Sequence, residues 1–202
     1  ELKEVAALIY GNITGDSVDF RDAALASEGH KFLAEAVNGA NEKVLGNINW
    51  ALTNCCRFKK LPADEVVQLI IPAVCKIFTN AQSLDVAIDA LSAMARVSRK
   101  ARLAYLLSDS EVLAKLASLT VHPFHRIGLP ALRILGDLVH ASNELTDAVI
   151  EAGGLEHVSD LLNTASKEVV IEVLLMLSNI AAGTPEQASL LFENGIFRKV
   201  IE

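Results

Sequence analysis

A repeat of about 42 residues is the feature that most constrains how this chain can fold. Five short segments align along the sequence, each with one position, here called the anchor, in a common place. Successive anchors are 41 or 42 residues apart. A unit of this size cannot bury its own apolar face, so stacked units are expected to share one continuous core. The anchors are Asn12, Asn54, Arg96, Asp137 and Asn179.

Composition and a second marker indicate that the units are helical. Aromatic residues make up only 5% of the chain, and the abundance of Leu, Ala and Val favours helix over sheet. Gly29, Gly154 and Gly195 follow their anchors by 16 or 17 residues, where a short turn joins two helices. Apolar residues of the segment 165–182 fall on one helical face, and Gly15 and Gly183 stand where a glycine cap ends a helix. Each unit is therefore predicted to hold two short helices and a longer third helix that carries the anchor.

The period falls in the range of about 40–47 residues given for HEAT and armadillo repeats. We therefore predict an all-α solenoid of three-helix repeats of the HEAT or armadillo type. It should form a single domain over residues 1–202, with partial repeats at both ends. This organisation is expected of an internal piece of a longer solenoid.

Composition and motifs also limit the classes of function. The net charge of −7 disfavours binding to nucleic acid and anionic lipid and favours basic peptides, although solubility alone would also explain it. Cys55, Cys56 and Cys75 have no metal-ligand spacing and are expected in the core. His122 and His125 lack a third ligand nearby. We found no catalytic motif and predict no enzyme activity, no cofactor, no metal site and no membrane segment.

The anchors on the third helices carry the functional prediction. Trp50, the only tryptophan, precedes Asn54 by four residues, so both lie on one face of a helix. Asn can hydrogen-bond the amides of an extended peptide, and Trp can pack against the stem of a Lys or Arg and attract its charge. The alternative is that Asn helps to end the helix while Trp50 fills the core. Recurrence of Asn in register favours the peptide groove.

Several stretches resemble importin-α, the family of armadillo adaptors for nuclear import. Tyr10-Gly11-Asn12-Ile13-Thr14-Gly15-Asp16-Ser17 is similar to the third repeat of that family, and Trp50-Ala51-Leu52-Thr53-Asn54-Cys55-Cys56-Arg57 to its fourth. Pro130-Ala131-Leu132-Arg133 resembles the sixth repeat, and Leu177-Ser178-Asn179-Ile180-Ala181-Ala182-Gly183 the seventh. The resemblance identifies the chain as a divergent member, or an internal fragment, covering roughly the third to seventh repeats. It implies that the solenoid is a right-handed superhelix of armadillo repeats.

The resemblance implies that basic nuclear localisation signals of cargo proteins bind in a concave groove. It implies presence in cytoplasm and nucleus, and contact with importin-β and the export receptor only through regions outside this sequence. The chain alone is therefore not expected to complete a transport cycle. By the same resemblance, the larger peptide site comprises Asn12, Asp16, Trp50, Asn54, Arg57, Asp89 and Arg96, and the smaller site comprises Arg133, Asp137, Glu172 and Asn179.

Departures from the family pattern predict weakened or narrowed specificity. Leu8, Ser92 and Leu175 stand where the family usually has Trp, and each lost aromatic pocket is worth about 0.5–2 kcal/mol. Arg96 replaces an aromatic residue or Asn; it either repels the cations of the ligand or makes a contact of its own. Asp137 replaces Asn. The alternative function is an armadillo scaffold for protein interactions that is not dedicated to basic signals.

Overall fold

The computed structural model describes residues 2–163, 166–193 and 195–201 of the chain. In this part of the chain the regular structure is helical throughout, and strands are absent. The chain divides into two compact units, Glu1–Val97 and Ser98–Glu202. The prediction of one continuous solenoid over 1–202 stays a prediction. Among the described helices, none is long and apolar enough to cross a membrane.

Unit 1 contains six helices among its described residues, and three of them carry anchors at their predicted positions. Asn41 shows how the sequence fixes one of these anchor helices, because its side chain accepts a hydrogen bond from the backbone N–H of Val44 at 3.0 Å. Such an N-cap stabilises a helix by about 1 kcal/mol. The helices are α1 (Leu2–Asp16), α2 (Val18–Ala26), α3 (Gly29–Ala36), α4 (Glu42–Cys55), α5 (Asp64–Asn80) and α6 (Leu84–Ser98).

Unit 2 follows the same plan, with eight short and long helices among its described residues. The anchor helices are α9 (His125–Ala141) and α12 (Lys167–Ala181). The predicted segment 165–182 is therefore confirmed as the anchor helix α12, within one or two residues at its ends, although Ala165 lies outside the described residues. The remaining helices are α7 (Ala101–Ala104), α8 (Ser110–Leu119), α10 (Asn143–Glu151), α11 (Val158–Leu162), α13 (Pro185–Glu193) and α14 (Ile196–Ile201).

The repeat between α4 and α6 departs from the predicted three-helix plan. Residues 57–63 are irregular, and α5 is one 17-residue helix where two shorter ones were predicted. The charged residues Arg57, Lys59 and Lys60 provide no apolar face for a helix to bury. Pro62 follows them, and a proline disfavours helical backbone at the residue before it.

Buried Arg21 fixes this irregular loop to α2. Its side chain is fully buried, donates to the carbonyl of Lys60 at 2.5 Å and pairs with Asp22 at 2.7 Å. The guanidinium also lies 5.8 Å from the centre of the Phe58 ring. A buried arginine with several partners holds a loop that has no helical hydrogen bonds of its own.

In three repeats, the turn between the two short helices contains a residue with a positive φ angle. In two of the three, this residue stands one position before the glycine that the sequence analysis assigned to the turn. Glu28, Gly153 and Gly195 have φ angles of 60°, 88° and 65°. Gly29 and Gly154 follow this position and serve another purpose, which is close packing: a Cβ on Gly29 would lie 2.5 Å from the Tyr10 ring. Glu28 therefore occupies a conformation that favours glycine.

The two glycines predicted as helix caps behave differently. Gly15 lies inside α1 and has an ordinary helical φ, so its prediction as a cap is wrong. Gly183 follows the end of α12 but does not adopt a positive φ. The reason for Gly15 is its neighbour, because a Cβ there would lie 2.9 Å from the amide nitrogen of Asn54.

The core consists mainly of aliphatic side chains from the inward faces of the helices. The three cysteines belong to it, as predicted: all are buried, and none is part of a disulfide. Burial raises the pKa of the Cys55 and Cys56 thiols to about 12. Neither thiol is therefore suited to nucleophilic chemistry near neutral pH.

Candidate functional site: the anchor faces of the two units

Trp50 is positioned by a glycine on the neighbouring helix. The indole of Trp50 on α4 lies over Gly11 on α1, where a Cβ would come within 2.3 Å of the ring. The side chain is half-buried, and its ring is the only indole of the chain. Because Gly11 has no side chain, the helices approach closely and hold the indole against the backbone of α1. Trp50 therefore keeps a partly accessible face in a fixed place.

Asn54 on α4 and Arg57 in the loop after α4 each donate a hydrogen bond to a backbone carbonyl of α1. The Nδ2 of Asn54 donates to the carbonyl of Gly11 at 3.0 Å, and Nη1 of Arg57 donates to the carbonyl of Gly15 at 3.2 Å. Asn54 is only 7% exposed, whereas Arg57 is exposed. These two predicted binding residues thus satisfy backbone carbonyls near the end of a helix. Asn54 therefore joins α4 to α1 and leaves little surface for a ligand.

Asn12 and Asp16 are the accessible polar groups of α1. They are four residues apart, so they lie on one face of the helix, and both are exposed. Among the described residues, neither side chain has a hydrogen-bond or ion-pair partner. Asn12 can therefore bond a peptide amide, and the Asp16 carboxylate can accept a Lys or Arg side chain beside the indole of Trp50.

The third anchor helix of unit 1, α6, continues the register in which α4 meets α1. Asn49 on α4 donates to the carbonyl of Val86 at 3.0 Å, and a Cβ on Gly46 would lie 3.5 Å from the Val86 side chain. The predicted site residues Asp89 and Arg96 are half-buried on this helix. Asp89 already interacts with another group of the chain. Unit 1 thus places the predicted larger-site residues on three anchor helices, with the exception of Arg57, which lies in the loop after α4.

In unit 2, Arg133 is engaged by two carboxylates of the next anchor helix. Its Nε donates to Glu172 at 2.7 Å and its Nη2 to Glu168 at 2.8 Å. The hydrogen bond that Arg133 donates to Glu172 raises the pKa of Arg133 above its ordinary value. His125 lies 3.3 Å from the other oxygen of Glu168. The smaller-site prediction therefore joins Arg133 and Glu172, and the charge of each is largely compensated by the other.

Asp137 is also provided with a partner from its own unit. Ser98, which is 1% exposed, donates to its carboxylate at 2.6 Å. Burial raises the pKa of Asp137, and this outweighs the opposing effects of Ser98 and the charge of Arg99. Asn179, the last anchor, is half-buried. The carboxylate of Asp137 is therefore less available to a cationic ligand than that of the exposed Asp16 in unit 1.

Sequence reasoning did not identify three contributors to these faces. Glu168 lies one helical turn before Glu172, and that spacing is the signal that could have found it. Gly11 and Gly15 are likewise one turn apart on α1, a spacing typical of closely packed helices.

Within the described ranges, no group of three His, Cys, Asp or Glu side chains could hold a metal ion.

Comparisons with known proteins agree with this architecture. Residues 142–182 match the Armadillo/beta-catenin-like repeat family. A designed armadillo repeat protein for modular peptide recognition superposes with a TM-score of 0.80 at 22% identity, over 96% of this chain and 82% of its own. Another, in complex with the peptide (KR)4, gives a TM-score of 0.77 at 22% identity, over 96% and 81%. The predicted armadillo fold is therefore confirmed.

Curated relatives at higher identity are importin subunits. Importin subunit alpha-1b of Oryza sativa subsp. japonica is 31% identical over 84% of this chain and 32% of its own length. Importin subunit alpha-1a of the same species is 28% identical over 100% and 39%, and importin subunit alpha-2 of Caenorhabditis elegans is 28% identical over 88% and 34%. The resemblance to importin-α is confirmed over most of the chain, which spans about a third of the length of these relatives.

Proposed function

We propose that this armadillo-repeat chain, a relative of importin-α, binds extended basic peptides of the nuclear localisation type on the anchor face of unit 1. In this proposal Asp16 and Trp50 hold a Lys or Arg side chain, and Asn12 bonds the peptide backbone. Asn54 supports the groove from α4, and Arg57 supports it from the loop that follows. The biological role is that of a nuclear import adaptor that is present in cytoplasm and nucleus and binds cargo without catalysis.

The observation that carries the proposal is an exposed carboxylate, without a partner among the described residues, on the same helix against which the indole is fixed. Asp16 is exposed and lies on the helix that also contains Gly11, against which Trp50 packs. An ammonium or guanidinium group gains about 0.5–2 kcal/mol from an aromatic face, and a charge-assisted hydrogen bond adds about 1.5–3 kcal/mol. Both contacts select for cations and against neutral side chains of the same length.

Unit 2 is proposed to contribute less to a basic ligand. A peptide cation that approached Glu172 would have to compete with Arg133, which already bonds that carboxylate at 2.7 Å. Leu175 stands one helical turn before Asn179 and offers no aromatic face. The proposed specificity is therefore for signals with one basic cluster. A second cluster should add little affinity.

The test is a titration of a fluorescently labelled Lys/Arg-rich peptide, with binding followed by anisotropy. The matched control is the same peptide with its Lys residues replaced by Ala. Binding should be saturable, should weaken as salt rises, and should be absent for the control peptide. Equal binding of both peptides, or no binding at high protein concentration, would refute the proposal.

A second candidate function is an armadillo scaffold for a partner without a basic signal. The ion-paired surface of unit 2, with Arg133 between Glu168 and Glu172, favours this candidate, because such a surface is suited to mixed-charge partners. A peptide array that contains basic, acidic and neutral sequences would distinguish the two. Preference for acidic or neutral peptides would support the scaffold.

A further inference from the structure

Arg96 occupies an anchor position with no counter-charge within the described chain. It lies on α6, 42 residues after Asn54 and 84 after Asn12, and is half-buried. Among the described residues, Arg96 has no hydrogen bond or ion pair. The other arginines of the two anchor faces differ from it: Arg57 donates to the carbonyl of Gly15, and Arg133 pairs with two carboxylates.

The register of the helices places Arg96 beside the groove of unit 1. On α1 and α4, Trp50 meets Gly11 and Asn54 meets Gly15, an offset of 39 residues in both cases. On α4 and α6, Val86 meets Gly46, an offset of 40 residues. Since the same packing is repeated, the anchor of α6 follows that of α4 as the anchor of α4 follows that of α1.

We propose that the groove of unit 1 recognises a mixed-charge peptide, in which Arg96 binds an Asp or Glu side chain of the ligand. This inference rests on the proposed function, because the Lys or Arg of the same peptide is held by Asp16 and Trp50. The groove then has a negative end and a positive end. A peptide with cations throughout would place one of them against Arg96 and be disfavoured.

The separation of the two charges in the peptide follows from the spacing of the helices. Packed helices lie about 8–10 Å apart, and an extended peptide rises about 3.3 Å per residue. The acidic residue should therefore lie about three residues from the basic residue that contacts Trp50. Opposite charge at this position attracts and like charge repels, so Arg96 provides specificity as well as affinity.

A peptide series tests this inference directly. A Lys-rich core is extended with a single Glu at successive positions on either side, and each peptide is matched by one with Gln at the same position. One Glu position, about three residues from the core, should bind about threefold to tenfold more tightly than its Gln counterpart at low salt. Lys at that position should bind more weakly than Gln.

Variants of the protein connect the preference to Arg96. Arg96→Gln should abolish the difference between the Glu and Gln peptides but keep affinity for the Lys-rich core, and Arg96→Glu should reverse the preference toward Lys. Lys59→Gln, which also removes one exposed positive charge from unit 1, is the matched control and should retain the preference for Glu.

Each outcome decides one of the two claims. If the core peptide binds but no Glu position is preferred, or if Arg96→Gln keeps the preference, the role of Arg96 is refuted and the proposed function stands. If no peptide binds, including the core, the proposed function fails and this inference fails with it.

Discussion

Substitution of Gly11 by alanine should move Trp50 and thereby damage both the fold and the site. A Cβ at Gly11 would lie 2.3 Å from one carbon of the indole and 3.2 Å from the Cα of Ala51. Helix propensity alone would favour alanine by about 1 kcal/mol, but overpacking costs about 1–3 kcal/mol. The net effect should be a destabilisation of up to about 2 kcal/mol, together with a displaced indole.

Gly46→Ala is the matched control for this substitution. Gly46 lies inside α4, and its added Cβ would meet only the Val86 side chain, at an ordinary contact distance of 3.5 Å. This variant should be more stable than the parent protein by about 0.5–1 kcal/mol, because alanine has a higher helix propensity than glycine and its Cβ does not overlap with a neighbour. Gly11→Ala and Gly46→Ala should therefore differ by about 1–3 kcal/mol in the free energy of unfolding.

Urea titrations and the fluorescence of Trp50 measure the two consequences. Because the chain has one tryptophan, its emission reports this site alone. Gly11→Ala should shift the emission to longer wavelength as the indole moves into water, and should weaken the binding of a basic peptide. The reasoning is wrong if Gly11→Ala is as stable as Gly46→Ala and keeps the emission of the parent protein.

Three further predictions concern buried or strained residues of unit 1. Arg21→Ala should lower the free energy of unfolding in urea by about 3 kcal/mol, because its hydrogen bond to the loop and its ion pair with Asp22 are lost and a cavity remains; a change below about 1 kcal/mol would contradict this. Glu28→Gly should raise it by about 0.5–1 kcal/mol by relieving the left-handed backbone, and a destabilised variant would contradict the strain. Burial lowers the pKa of His30, so the unfolded chain takes up a proton near pH 6.5 before the folded chain does. Stability should fall as the pH drops from 7 through 6.5 and level off below the folded pKa; His30→Gln should reduce this slope, and an unchanged slope would exclude His30 as its cause.

The positions of the anchor helices could be predicted from the sequence because they depend on periodicity alone. A repeat of 41 or 42 residues places Asn54 and Asn179 on equivalent helices whatever their contacts. Apolar residues on one face then determine which side is buried. The fold class was predictable for the same reason, since units of this length must stack to form a core.

The roles of the anchors could not be predicted because they depend on the neighbouring helix. Asn54 was expected to face a ligand, but the absence of side chains at Gly11 and Gly15 allows α1 to approach and bury it. Arg133 was expected to belong to a peptide site, but Glu168 and Glu172 lie within hydrogen-bond distance of it. Such pairings depend on the register between helices far apart in sequence, which residue types alone do not specify.

The local departures have similar causes. The loop at 57–63 lacks helical structure, yet nothing in its composition identifies Arg21, 39 residues before Lys60, as the residue that holds it. The left-handed turn at Glu28 was missed because Gly29 beside it is required for packing against Tyr10. Gly29 therefore predicted the position of the turn correctly, but it did not predict that Glu28 would be the residue with the positive φ angle.

The most direct test of the central claim is a titration of the protein with a Lys/Arg-rich peptide, followed by the emission of Trp50 in the parent chain, in Asp16→Asn and in Asp19→Asn. Asp19 is an exposed carboxylate on α2 and controls for the loss of one negative charge. The emission should change saturably in the parent and in Asp19→Asn, and Asp16→Asn should weaken the binding about tenfold. Peptide binding detected by anisotropy without any change in Trp50 emission, or with equal affinity for all three proteins, would contradict the account.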